Sequence, residues 1–203
     1  MSKEESIDLG PALKGFPDLE SEEDTGALIA SPAIAFQVAE FLRDDPSYRL
    51  DYLSNVTGID YLAGERKEKR VNEEGKTEIV KIAESARMDV VYHFYSMSEN
   101  RGPVVLKQRL ADRENPVATS LMPLFRSAEL QEREVYDLFG VRFEGHTDLR
   151  RILMWDEFED FPMRRDYIEP DDYEYEPTPH GDVLEKAKGH LPKAKGHLPK
   201  DEE

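Results

Sequence analysis

Between Leu121 and Phe139, apolar residues recur at helical spacing: Leu121, Leu124, Phe125, Ala128, Val135, Leu138 and Phe139. The pattern predicts an amphipathic helix with one face in a core. Pro123 fits its first turn, and Gly140 fits the left-handed position after its end. At about 100° per residue, Glu132 projects between Ala128 and Val135, in the middle of the apolar face. A lone carboxylate there costs several kcal/mol or takes up a proton. Any fold of this chain has to supply that carboxylate with a partner.

The arginines just downstream are the obvious suppliers. Arg150-Arg151 and Arg164-Arg165 present flat, forked donors that suit a carboxylate. One of these pairs is expected to fold back onto Glu132 or Glu134 and pin the loop 141–151 against the helix. On that pairing, Glu132→Gln would destabilise the isolated domain or its assembly. The alternative is a covering subunit that supplies the countercharge.

Length and charge narrow the rest. The chain has 203 residues, 38% of them apolar, and a formal net charge of -17. That suits one ordinary domain with some extension, and makes nucleic-acid backbone and anionic lipid poor partners. A basic surface on another protein is a better one. Cysteine is absent, which excludes disulfides, thiolate-bound clusters and cysteine nucleophiles within the chain. MSKEESIDLG lacks the basic start and apolar run of a signal peptide, and no stretch approaches membrane-spanning length. The expectation is a soluble chain linked to membranes only through partners.

Along the chain, residues 1–26 are polar and acidic and read as a flexible arm. Ser31-Pro32 predicts a helix N-terminus, with the helix running to just before Pro46. YRLDYLSNVTGIDYL (48–62) reads as a helical turn passing into a strand, with Gly58 as the break. The charged stretch ERKEKRVNEEGKTEIVK reads as a mobile loop or hairpin tip. MDVVYHFYSM (88–97) and VVLKQRLAD, joined by a turn at Asn100–Pro103, predict an antiparallel hairpin. RRILM (150–154) reads as a short strand.

From about residue 156 the sequence has prolines, acids and dotted aromatics without a period, which predicts an extended strap anchored on a partner by its rings. The AKGHLPK repeat at 187–200 reads as a solvated tail, although His190 and His197 offer a weak metal pair. The fold class expected is α+β: a small, mostly antiparallel sheet with helices packed on it, followed by a long extended C-terminal segment. The domain at 27–155 is flanked by the arm at 1–26 and the strap and tail at 156–203.

The charged residues also admit an enzyme reading, with Glu132, Glu134 and His146 as acid, base or metal ligands, or a His146-x-Asp148 metal pair. One histidine and scattered carboxylates do not specify a metal, and no phosphate-binding glycine loop lies near them.

EREVYDLFGVRFEGH (132–146), DLRRILM (148–154) and FPMRRDY (161–167) together resemble the signature of the 30-kilodalton, C-type subunit of NADH-quinone oxidoreductase, respiratory complex I. TGIDY (57–61) and VVYHF (90–94) extend the resemblance upstream. Leu130, Thr147 and Asp160 stand where the family usually has tryptophan, proline and glycine. They keep the equivalent subunit of a related ferredoxin- or deazaflavin-linked complex, or of a membrane-bound hydrogenase, as the alternative.

The resemblance implies a non-catalytic, cofactor-free subunit of the peripheral arm, on the cytoplasmic face of the bacterial membrane. FMN and iron–sulfur clusters would lie in partner subunits, and the chain's own partners would be other peripheral-arm subunits, chiefly the quinone-cavity subunit and the iron–sulfur subunits. It implies structural or interface roles, and no catalytic, cofactor or metal role, for Glu132, Arg133, Glu134, Asp137, Phe139, Gly140, His146, Arg150, Arg151, Pro162, Arg164, Arg165, Asp166 and Tyr167.

Overall fold

The structure, a computed structural model, describes residues 7–71 and 77–168, with backbone alone for 66–71 and 77–80. In chain order the elements are α1 (Gly10–Gly15), β1 (Glu20–Ser21), β2 (Leu28–Ala30), α2 (Pro32–Asp44), β3 (Tyr52–Tyr61), β4 (Gly64–Val71), β5 (Thr77–Glu84), β6 (Arg87–Ser96), β7 (Arg101–Leu110), β8 (Val117–Thr119), α3 (Ala128–Phe139) and β9 (Arg142–Glu144). The main sheet has the order β1-β2-β7-β6-β3. Only the β2–β7 pair in it is parallel. The architecture is α+β, with helices packed on a mostly antiparallel sheet.

The β6–β7 hairpin follows from its alternation. Met88, Val90, Tyr92 and Phe94 point into the core opposite Leu110, Gln108, Leu106 and Val104. The α2 helix begins at Pro32 as its sequence dictates, and buries Ala35, Val38, Ala39 and Leu42. A small parallel pair, β8 with β9, leads the chain into and out of α3.

Several expectations need correction. Residues 7–26 are not a free arm: α1 buries Ala12, and Leu19 joins the core. The compact body runs to Tyr167, beyond the expected limit at 155. RRILM is a series of bends without strand pairing. The charged stretch at 64–84, by contrast, takes the hairpin form of its two expected readings, as a two-stranded hairpin whose tip, 72–76, lies outside the described residues. The strap beyond 168 and the AKGHLPK repeat also lie outside them.

Gly58 does not break the chain. It sits inside β3, paired with Val90, because α3 lies against this strand. A Cβ at position 58 would stand 2.7 Å from the Phe139 ring, so only glycine lets the ring seat there. Gly58→Val is therefore expected to lower stability by about 1–3 kcal/mol through overpacking, read as a lower urea midpoint at unchanged slope. An unchanged midpoint would contradict the close seating of Phe139.

The predicted helix start is also corrected. Leu121, Leu124 and Phe125 belong to turns ahead of α3, whose first residue is Ala128. The amide of Leu121 is held by the Glu132 carboxylate instead of entering a helix.

Candidate functional site

Glu132 is wholly buried, and its partners are not guanidinium groups. Its carboxylate accepts hydrogen bonds from the Ser120 hydroxyl at 2.6 Å and the Leu121 amide at 2.8 Å. The Tyr92 hydroxyl also bonds to it. Burial raises the carboxyl pKa to about 7, and the three hydrogen bonds offset only part of the rise. The arginine pairing expected from sequence does not form.

A polar network continues from there through the interior. The Gln108 amide donates to the Tyr92 hydroxyl and the Thr119 carbonyl, and accepts from the Thr119 amide. Thr119 in turn donates to the carbonyl of Pro32. Each buried polar group here is answered by another, as a low-dielectric interior requires.

The arginines act elsewhere. Asp137, fully buried one helical turn beyond Arg133, gathers the loop that follows β9. One carboxylate oxygen accepts the consecutive amides of Ile152, Leu153 and Met154 at 2.9, 2.6 and 2.9 Å. The other accepts Arg151 at 2.6 Å. Burial alone would raise this acid, but the three amides and Arg151 outweigh it and hold the pKa below the usual value.

Arg133 donates to the carbonyls of Arg150 and Arg151 at 3.1 and 3.0 Å. Arg164 donates to the Phe139 carbonyl at 2.8 Å and lies 4.8 Å over the Phe161 ring. Gly140 ends α3 in the left-handed conformation (φ 76°), and a Cβ there would stand 2.6 Å from the Phe161 ring. Phe161, two residues from the Met163 amide that bonds to the Leu138 carbonyl, thus closes the helix C-terminus.

A second clamp has a different centre. Arg113 grips Asp60 through two hydrogen bonds, at 2.6 and 2.7 Å, and reaches Asp166 at 2.6 and 3.0 Å. The Arg165 amide, not its side chain, caps the same Asp60 carboxylate at 2.8 Å. Burial would raise Asp60, yet Arg113 and that amide bring its pKa below the ordinary value. Sequence reading missed Arg113, which sits alone in a turn. The only local signal was Asp60, on the buried side of β3.

The remaining signature residues are placed as follows. Glu134 is exposed. The Nε2 of His146 bonds to the Glu129 carbonyl at 2.9 Å, and its Nδ1 accepts the Asp148 amide at 3.1 Å. Arg150 is exposed and pairs with Asp148. Pro162 and Tyr167 are half-buried in the returning segment, with the Tyr167 amide on the Arg164 carbonyl. The structure therefore does not bring Glu132, Glu134 and His146 to one site. Among the described residues no group of three metal-ligating side chains converges, and no helix is long and apolar enough to cross a membrane.

What the signature builds is a pair of clamps that fix residues 142–167 to α3 and β3. Residues 28–173 match the family described as respiratory-chain NADH dehydrogenase, 30 Kd subunit. A C-type subunit of NADH-quinone oxidoreductase from Rhizobium etli (strain CIAT 652) is 34% identical over 173 residues, covering 82% of this chain and 79% of that protein. The C-type subunit of NADH-quinone oxidoreductase from Roseiflexus sp. (strain RS-1) is 38% identical over 135 residues, 66% of this chain and 65% of that one. The chain spans about half the length of several longer relatives.

A chain in the structure of the membrane-bound sulfane sulfur reductase, an archaeal respiratory membrane complex, superposes with a TM-score of 0.55 over 96% of both chains. At 17% identity that likeness is one of fold alone. The match over most of the sequence is decisive: the chain belongs to the respiratory-chain NADH dehydrogenase 30 Kd subunit family, which includes the C-type subunits of NADH-quinone oxidoreductase.

Proposed function

We propose that this chain is a cofactor-free architectural subunit of the peripheral arm of NADH-quinone oxidoreductase, on the cytoplasmic face of the bacterial membrane. Its partners carry the FMN and the iron–sulfur clusters that pass electrons from NADH to quinone, coupled to proton translocation. It holds the iron–sulfur subunits and the quinone-cavity subunit in register and performs no step of the reaction itself.

The observation that supports this is the use made of the signature charges. Arg133, Asp137, Arg151 and Arg164 are spent on backbone groups and on one another within the chain, and Asp166 on Arg113. Groups so engaged are poor acids, bases or ligands, because freeing one leaves its buried partner unsatisfied. They are good at fixing a long irregular segment in one shape.

Purification of the tagged full-length chain from its own membranes tests the reading. NADH:quinone oxidoreductase activity and flavin are expected to come with the assembled complex, and none with the chain stripped of partners. Turnover or stoichiometric metal in the stripped chain would contradict it.

A further inference from the structure

The clamps hold an irregular segment whose apolar side chains point outward. Ile152, Leu153, Trp155 and Met163 are 37, 58, 62 and 55% exposed. Residues 152–154 are tied by their amides to Asp137, and Met163 by its amide to Leu138, so both stretches hang from neighbouring residues of one helical turn. Arg151 stiffens the segment further, lying 5.6 and 5.4 Å over the rings of Phe158 and Phe161. Trp155 is braced edge-on against Phe158 at 4.8 Å. A loop fixed this firmly, with a tryptophan and three aliphatic side chains in water, is preorganised for contact.

Charge selects what it contacts. From Ile152 to Met163 the sequence has Asp156, Glu157, Glu159 and Asp160 and no lysine or arginine. All four acids are exposed. A second copy of this chain would oppose the same acids to themselves, and an anionic bilayer would repel them.

Resting on the functional reading above, we infer that this platform is the chain's docking surface for a partner subunit that presents an apolar pocket bordered by lysine and arginine, with Trp155 and Leu153 as the anchors. Anchors of this kind dominate interface energetics, and the acidic rim sets orientation and salt dependence.

The test replaces the wild-type chain in its own cells by tagged Trp155→Asp, Leu153→Asp, or the double charge reversal Glu157→Lys with Glu159→Lys. Because these positions are exposed, the purified variants should melt like the wild type. Recovery of NADH:quinone oxidoreductase activity on the tagged chain is expected to fall roughly tenfold or more for each apolar replacement. The charge reversal should lower recovery and weaken its dependence on salt.

If the tagged wild type itself brings down no such activity, the functional reading fails. If the wild type does and both apolar variants match it, the platform assignment is overturned. Dimerisation of the isolated wild type that Trp155→Asp abolishes would overturn it in favour of a second copy. Binding to phosphatidylglycerol vesicles that the same change abolishes would overturn it in favour of a membrane.

Discussion

Replacing Asp137 by alanine is expected to cost the protein roughly 3–5 kcal/mol and to release the loop that follows β9. The carboxylate is the common acceptor for three consecutive amides and the Arg151 guanidinium. Its removal strands a largely buried cation and leaves three donors to find water. Solvent replaces some of these bonds, because the loop lies near the surface, which keeps the cost below the sum of its parts. Denaturant unfolding of wild type and variant at pH 7 reads the difference, and a loss under about 1 kcal/mol would show that the clamp contributes little.

The pH dependence has a definite sign. The Asp137 pKa is lowered on folding, so its contribution is present above the unfolded pKa and disappears as pH falls through the folded value.

Glu132 gives the opposite sign. Its pKa rises from 4.5 to about 7, so the folded protein keeps a proton that the unfolded chain has released. Its contribution to stability is full below about pH 4.5 and is lost as pH climbs through 7. At about 1.36 kcal/mol per pKa unit, the wild type loses roughly 3 kcal/mol across that window.

Glu132→Gln removes the titration and keeps the shape. The amide oxygen still accepts from Leu121, and the amide nitrogen can donate to Ser120. The variant should be at least as stable as wild type at pH 8, reversing what an arginine partner would predict. Plotted as the difference between the two proteins, which cancels acids common to both, stability should decline from pH 4 to pH 8. A flat difference would mean that folding leaves the Glu132 pKa unshifted.

The parts of this arrangement that sequence alone reveals are those set by neighbours in the chain. Alternation from Met88 to Leu110 is enough for the hairpin, since the side-chain period of a strand fixes which face is buried. Ser31-Pro32 and Gly140 mark helix ends because proline and left-handed glycine have local meanings.

What stays hidden depends on distant partners. Gly58 looked like a break because the Phe139 ring that requires it is far along the chain. Arg113 meets Asp60 and Asp166, each 53 residues away, and no local period encodes that meeting.

The pairing of the signature charges was not legible in the sequence. Sequence reasoning assigned forked arginines to Glu132 or Glu134, and Glu132 is the buried one of the two. The fold gives that carboxylate two hydroxyls and an amide, and gives the arginines carbonyls and Asp137. A buried acid flanked by neutral donors can stay protonated near neutrality and thereby avoid the desolvation of a full ion pair. That choice is invisible without knowing which backbone amides arrive.

Amide hydrogen exchange on the wild-type protein tests the clamp most directly. If Asp137 and the arginines anchor the loop, the amides of Ile152, Leu153 and Met154 will exchange as slowly as those in the last turn of α3, although they lie in no helix or strand. Exchange at these three positions as fast as in an unstructured peptide, with α3 still protected, would mean that the signature charges do not hold the segment.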